Sequence, residues 1–272
     1  MLDDLRQDHI IEYDAFSAAT ATAREYLTWP RCVRPPCMAI VGKSFSGKTT
    51  IVRSIEREHR VSQNMMAEQD VLPILSIETP SRLCEIRLYS AMITALIGVD
   101  ASASQPATLY RQVIRLMRSM ETKILMIDNA HRIYRGPNQK GSEFADILLS
   151  IAAETGVHMI LTGDEHFGRA IQSESQFNNR FRQRIYLEPW RDPAEHSGFL
   201  LTYMEAVGLL PQDGRVDTAF LQEVLNMAKG VLGEIVAILK SCAERRDLFP
   251  TGATVAGLRQ LGYAAPLEEH SA

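Results

Sequence analysis

The sequence predicts an α/β fold: a five-stranded parallel sheet with helices on both faces, followed by a small all-helical domain. Three observations carry this expectation. From residue 37 to residue 190, short apolar segments alternate with helical ones, the pattern of a parallel sheet wrapped by its own crossovers. A glycine-rich loop, "GKSFSGKT" (residues 42–49), stands between the first apolar segment and the helix after it. Beyond Arg191 strand signals cease and only helical segments remain. The expected division is an N-terminal extension (1–36), an α/β core (37–190) and a helical part with its tail (191–272).

Each element follows from local chemistry. "DAFSAATATAREYLT" (14–28) reads as a helix, and the three prolines of "WPRCVRPPC" end it. "CMAIV" (37–41) is a short apolar strand, and a helix opens at Thr49. "VLPILSI" (71–77) is the second strand, followed by helices near 83–97 and 107–120. In "KILMIDNAHRIY" four apolar residues, Ile124 to Ile127, run into Asp128, which reads as a buried strand ending on a carboxylate. A helix over 142–155 leads to strand "VHMILT" (157–162), and "RIYLEPW" (184–190) supplies the fifth strand. Helices near 192–207, 218–228 and 232–243 complete the chain, with a short tail to Ala272.

Composition narrows the class. Hydrophobic content of 46%, charged content of 23% and a net charge of −4 suit a globular chain of 272 residues with a sizeable core. There is no apolar run near 20 residues, so no membrane span is expected. The acidic "MLDDLRQDHIIEYD" start lacks the plan of a secretion signal, and a cytoplasmic location is expected. Cys32, Cys37, Cys84 and Cys242 are scattered without the spacing of a zinc site. With a negative net charge, any DNA contact must come from a local basic stripe.

The loop Gly42-Lys43-Ser44-Phe45-Ser46-Gly47-Lys48-Thr49, with Thr50 beside it, fits G-x-x-x-x-G-K-[ST] in full. Glycines allow backbone N–H groups to turn toward a β-phosphate, Lys48 reaches the β- and γ-oxygens, and the Thr49 hydroxyl can ligate magnesium. The helix that starts there adds its N-terminal dipole. Asp128, at the end of its strand, is the expected second magnesium-side group, so ATP and Mg2+ are the expected cofactors. Asn129 follows where a glutamate usually activates the attacking water. An amide orients water but cannot take its proton, so weak hydrolysis is expected unless another carboxylate serves, Glu78 and Asp164 being available.

Arg180, Arg182 and Arg184 lie at or just ahead of the fifth strand. Arg180, in "NNRF", is the candidate for a guanidinium inserted into a neighbouring subunit's phosphate site. Thr162 and Asp164 could sense the γ-phosphate or position water. For DNA the candidates are Ser81, Arg82 and Arg87, with Arg111, Arg115 and Arg118 as a second set on one helical face.

Taken together, "GKSFSGKT", "ILMIDNAHRI", "FADILLSIAAETGVHMILTGDEHF", "QFNNRFRQRIYLEPW" and "AKGVLGEIVAIL" resemble, in order, an AAA+ ATPase of the TniB/TnsC transposition regulator family over about residues 37–245. The resemblance implies an AAA+ P-loop NTPase core with a helical lid. It also implies ATP-bound subunits that assemble head to tail, as rings or helical filaments, on double-stranded DNA. Such assemblies recruit a TniQ-type targeting protein and engage the transposase, and some relatives serve CRISPR-associated transposons. The family's DNA contacts fall just after the second strand, which favours Arg82 and Arg87. Two departures weaken hydrolysis: Asn129 at the glutamate position, and Ala237 where relatives often carry an arginine. Two other functions stay open at this level: a general AAA+ enzyme of the secretion or origin-licensing type with vigorous hydrolysis, and a nucleotide-gated scaffold that never binds DNA.

Overall fold

The computed structural model describes residues 10–59, 71–82, 84–100, 105–133, 138–211, 214–249 and 252–263, with no side-chain account for 138–142. The ends of the expected extension (1–9) and tail (264–272) and residue 83, placed at a helix start, lie outside the described residues. The chain divides into an α/β unit (Ala15–Lys43 and Lys48–Leu187) and a helical unit (Met1–Asp14, Ser44–Gly47 and Glu188–Ala272).

In the α/β unit the elements run α1 (Asp14–Thr28), β1 (Met38–Gly42), α2 (Lys48–Glu58), β2 (Ile74–Glu78), α3 (Glu85–Ile97), α4 (Pro106–Ser119), β3 (Ile124–Asp128), α5 (Asn138–Thr155), β4 (His158–Gly163), α6 (Glu165–Ser173), α7 (Ser175–Arg180) and β5 (Gln183–Leu187). The five strands form one parallel sheet in the order β2-β3-β4-β1-β5. Every residue of β1, β3 and β4 is buried, as expected of strands covered on both faces. Ile127 is level with Leu161, and Val41 with Gly163, so the carboxyl ends of β1, β3 and β4 share one edge. In open α/β sheets that edge is where ligands bind.

Several boundaries move for identifiable reasons. β2 starts at Ile74, not residue 71, because Pro73 has no N–H to donate to a ladder, while its carbonyl accepts from Lys123 and Ile124. β5 ends at Leu187, two residues before Pro189. The helix expected from 192 is delayed to Ser197 by a turn at 193–196, in which Asp192 Oδ1 accepts from the Ala194 N–H at 2.9 Å. Residues 15–36, expected in an extension, are integral to the α/β unit. Phe16, Ala19, Ala23 and Tyr26 of α1 are buried, and Tyr26 stacks on His158 at the start of β4 with ring centroids 4.5 Å apart.

The helical unit holds α8 (Ser197–Ala206), α9 (Thr218–Met227), α10 (Leu232–Glu244) and α11 (Val255–Leu261) around its own apolar core. Leu200, Phe220, Val224, Ile235, Ile238, Leu239 and Leu258 fill that core. α11 lies within the stretch expected to be tail, started by a Thr254 hydroxyl that accepts from the Gly257 N–H. Tyr13 joins the same cluster, edge-on to Trp190 and Phe199. Gly230 closes the turn before α10: its φ is +71°, and an added Cβ would stand 2.3 Å from the Trp190 carbonyl. Among the described residues, no helix is long and apolar enough to cross a membrane.

Candidate nucleotide site

The loop after β1 is built for close backbone approach. Phe45 (φ +61°) and Gly47 (φ +93°) occupy the left-handed region, which turns successive peptides inward. At Gly47 an added Cβ would meet Leu232 at 3.2 Å and the Tyr13 hydroxyl at 3.4 Å, so glycine is needed for space as well as for φ. The Phe45 carbonyl accepts from the Gly233 N–H at 2.8 Å, while the residue is 66% exposed. Ser46 is buried, Lys43 and Ser44 are exposed, and Gly42 closes β1.

Lys48, Thr49 and Thr50 form the first turn of α2. Lys48 is buried, 8% exposed, and its ammonium donates to the carbonyls of Gly42 (2.7 Å) and Lys43. Burial lowers its pKa, while the carboxylates of Asp128 and Asp164 act in the opposite sense. A cation so held has been stripped of most of its water and is compensated by carbonyls and two acids, an environment that a polyphosphate can complete.

Asp128 is the hub. Its Oδ2 accepts from the Thr49 hydroxyl at 2.7 Å, and its Oδ1 accepts from the Asn129 N–H at 2.9 Å and from the Thr162 hydroxyl. Thr162 is fully buried, and its hydroxyl also accepts from the Asn129 N–H at 3.2 Å. The Asp128 carbonyl takes both the N–H and the hydroxyl of Thr79, each at 3.0 Å, which locks β2 to β3 at their ends. Thr49 and Asp128 therefore present paired oxygen donors at the start of α2. Among the described residues no group of three or more His, Cys, Asp or Glu could hold a metal alone. That donor set fits magnesium, which keeps waters and shares its ligands with substrate phosphates.

Asn129 turns the chain out of β3 with φ +56°. Its side-chain amide donates to Glu78 Oε1 at 3.0 Å, and Arg132 donates to the same oxygen at 2.9 Å and to the Thr79 carbonyl at 3.0 Å. Asp164 caps α6, its carboxylate accepting from the Phe167 N–H at 2.9 Å.

The remaining candidates lie elsewhere. Arg180 ends α7 and lines a groove of about 1130 Å³ with Tyr26, Trp29, Arg34, Arg182 and Gln183. One of its guanidinium nitrogens, Nη1, is buried without a hydrogen-bond partner among the described residues. Arg184 is tied back to Phe181 and Asn178, and Arg182 is exposed. Ser81, Arg82 and Arg87 are all exposed, between the end of β2 and the first turn of α3. In the second set, Arg118 is committed to the Glu154 carbonyl and Arg111 to that of Ala107. Thr79 and Arg132 join the site through contacts that no local sequence signal marks. Arg132 belongs to the segment "DNAHRIY", but its partner Glu78 lies 54 residues away.

The sequence matches the family model described as "Bacterial TniB protein" over residues 1–192. The chain belongs to the TniB family. Solved structures similar to this TniB-family chain carry the AAA+ fold. The DNA-bound ORC1 protein of Aeropyrum pernix shares 16% identity at a TM-score of 0.67, over 95% of this chain and 67% of that one. A Walker-type ATPase of Pyrococcus abyssi gives 14% and 0.61, over 93% and 71%. AMPPCP-bound DnaA from Aquifex aeolicus gives 15% and 0.53, over 87% and 64%. At such identities the likeness concerns the fold. Among curated proteins no sequence matches. The five-stranded parallel sheet of this TniB-family chain is thus the core of an AAA+ P-loop ATPase fold.

Proposed function

We propose that the protein is an ATP-dependent, DNA-binding regulator of transposition. In this reading it oligomerises on double-stranded DNA as a ring or filament and links a TniQ-type targeting protein to the transposase. The observation that carries the nucleotide half is the Thr49–Asp128–Thr162 constellation, with Lys48 of the complete phosphate-loop motif one residue before Thr49. Lys48 would bind the β- and γ-phosphates, and the N–H groups of residues 44–48 would receive phosphate oxygens. Thr49 and Asp128 would hold Mg2+, which when bound neutralises the phosphate charge. Arg180 would complete a neighbouring subunit's site, which suits a head-to-tail contact that need not close. Ser81, Arg82 and Arg87 would contact DNA phosphates.

TniB membership supports the transposition role. Asn129 in place of a carboxylate base supports slow or partner-stimulated turnover, so that bound ATP acts as a clamp on the assembly. The test is fluorescence anisotropy of labelled duplex DNA across a salt series, with and without ATP and magnesium. The reading expects ATP-dependent binding, and a shallower salt slope, by about one per charge removed, in Arg82→Ala and Arg87→Ala. Salt-insensitive association, or none, sinks the DNA half and leaves a nucleotide-gated protein scaffold.

A further inference from the structure

Asn129 cannot accept a proton, yet a carboxylate stands beside it. β2 and β3 are in register with Glu78 opposite Asp128, so Glu78 ends its strand level with the magnesium-side aspartate. The left-handed turn at Asn129 swings its amide onto Glu78 Oε1 at 3.0 Å, and Arg132 grips the same oxygen at 2.9 Å. The other oxygen, Oε2, has no hydrogen-bond partner among the described residues, and the side chain is 60% exposed. Water can therefore reach it.

The neighbouring carboxylates are otherwise engaged. Asp128 is held by Thr49, Thr162 and the Asn129 N–H. Asp164 is spent on the cap of α6. With its Nδ2 donating to Glu78, Asn129 keeps its own carbonyl oxygen to accept from a water.

We propose that Glu78 is the general base of ATP hydrolysis in this protein: Asn129, at the position where a glutamate usually activates the water, orients that water, and Glu78 takes its proton. This rests on the ATPase reading above. The water donates one hydrogen bond to Asn129 Oδ1. Its other proton passes to Glu78 Oε2, directly or through one further water, as its oxygen attacks the γ-phosphorus. The bond from that phosphorus to the β–γ bridging oxygen breaks, its electron pair leaves on ADP, and Glu78 afterwards releases the proton to solvent. Arg132 is a positioning residue that fixes which oxygen of Glu78 faces the water. Because Arg132 holds Glu78, whatever moves Arg132 adjusts the rate of turnover.

The experiment compares wild type, Glu78→Gln, Asn129→Glu and the exchange variant Glu78→Asn/Asn129→Glu. ATP binding is measured by calorimetry with magnesium, and phosphate release in single turnover with duplex DNA. Glu78→Gln, which keeps an acceptor for Asn129, is expected to bind ATP as the wild type does while losing about 10²- to 10⁴-fold in rate. The exchange variant, which places the carboxylate just past β3 and the amide at the end of β2, is expected to recover most of that loss.

Unaltered turnover in Glu78→Gln overturns the proposal. So does a slow Glu78→Gln that the exchange fails to rescue, or a wild type that binds ATP without turning it over. A wild type that binds no ATP overturns the nucleotide reading itself.

Discussion

Thr162→Val tests whether Asp128 is the organising group of the site. The substitution keeps shape and β-branching and deletes one hydroxyl at a fully buried position. In the native site that hydroxyl donates to Asp128 Oδ1 and accepts from the Asn129 N–H. The Asn129 N–H keeps its 2.9 Å bond to Asp128, so no backbone donor is orphaned, and Thr49 still holds Oδ2. The loss is therefore one hydrogen bond to a charged, buried acceptor, worth about 1.5–3 kcal/mol. For a chain of this size that corresponds to a fall in Tm of roughly 3–12 °C. Trp29 lies in the α/β unit and Trp190 in the helical unit, so fluorescence in a Trp190→Phe background follows the relevant transition. A double-mutant cycle with Asp128→Asn should return a coupling energy of about 1 kcal/mol or more. Stability within about 0.5 kcal/mol of wild type, or strict additivity in the cycle, refutes Asp128 as the hub.

Three further outcomes are expected. His158, buried against Tyr26 with Nδ1 2.9 Å from the Pro36 carbonyl, has its pKa lowered chiefly by burial. The unfolded chain then binds a proton that the folded one refuses. This share of stability is full above about pH 6.5 and shrinks as pH falls toward the folded pKa, so His158→Phe should flatten urea midpoints measured from pH 7.5 to 5. Gly230→Ala, with Cβ 2.3 Å from the Trp190 carbonyl at a φ of +71°, should cost more than about 2 kcal/mol in the Trp190 transition. Arg180→Ala should lose most DNA-stimulated turnover, by about 10³-fold or more if it acts on a neighbour's phosphates. Mixing it with Lys48→Ala should restore part of the rate, because each subunit type supplies what the other lacks.

How much was legible in advance depended on distance along the chain. The phosphate loop and β3 are contiguous signals whose chemistry is written in eight and five residues, and a parallel sheet follows once such segments alternate with helices. α6 and α7 escaped because nine- and six-residue helices carry too few turns for a 3.6-residue period to stand out. α11 escaped for the same reason. The packing of α1 into the α/β unit was not readable either, since its apolar stripe of alanines, Phe16 and Tyr26 does not say what it covers. At the site, Glu78 was visible as a carboxylate past a strand. Its hold by Asn129 and Arg132 spans 51 and 54 residues and arises only from the β2–β3 register. Thr162, expected to sense phosphate or water, is engaged with Asp128, a contact set by the adjacency of β3 and β4.

The central claim, nucleotide-gated assembly on DNA, is most directly tested by sedimentation velocity of wild type and Lys48→Ala with ATP and magnesium, duplex DNA, both or neither. The account predicts large assemblies of the wild type only when ATP and DNA are both present, and none of Lys48→Ala under any condition. Assemblies indifferent to ATP, or a wild type that stays monomeric with both ligands, would contradict it.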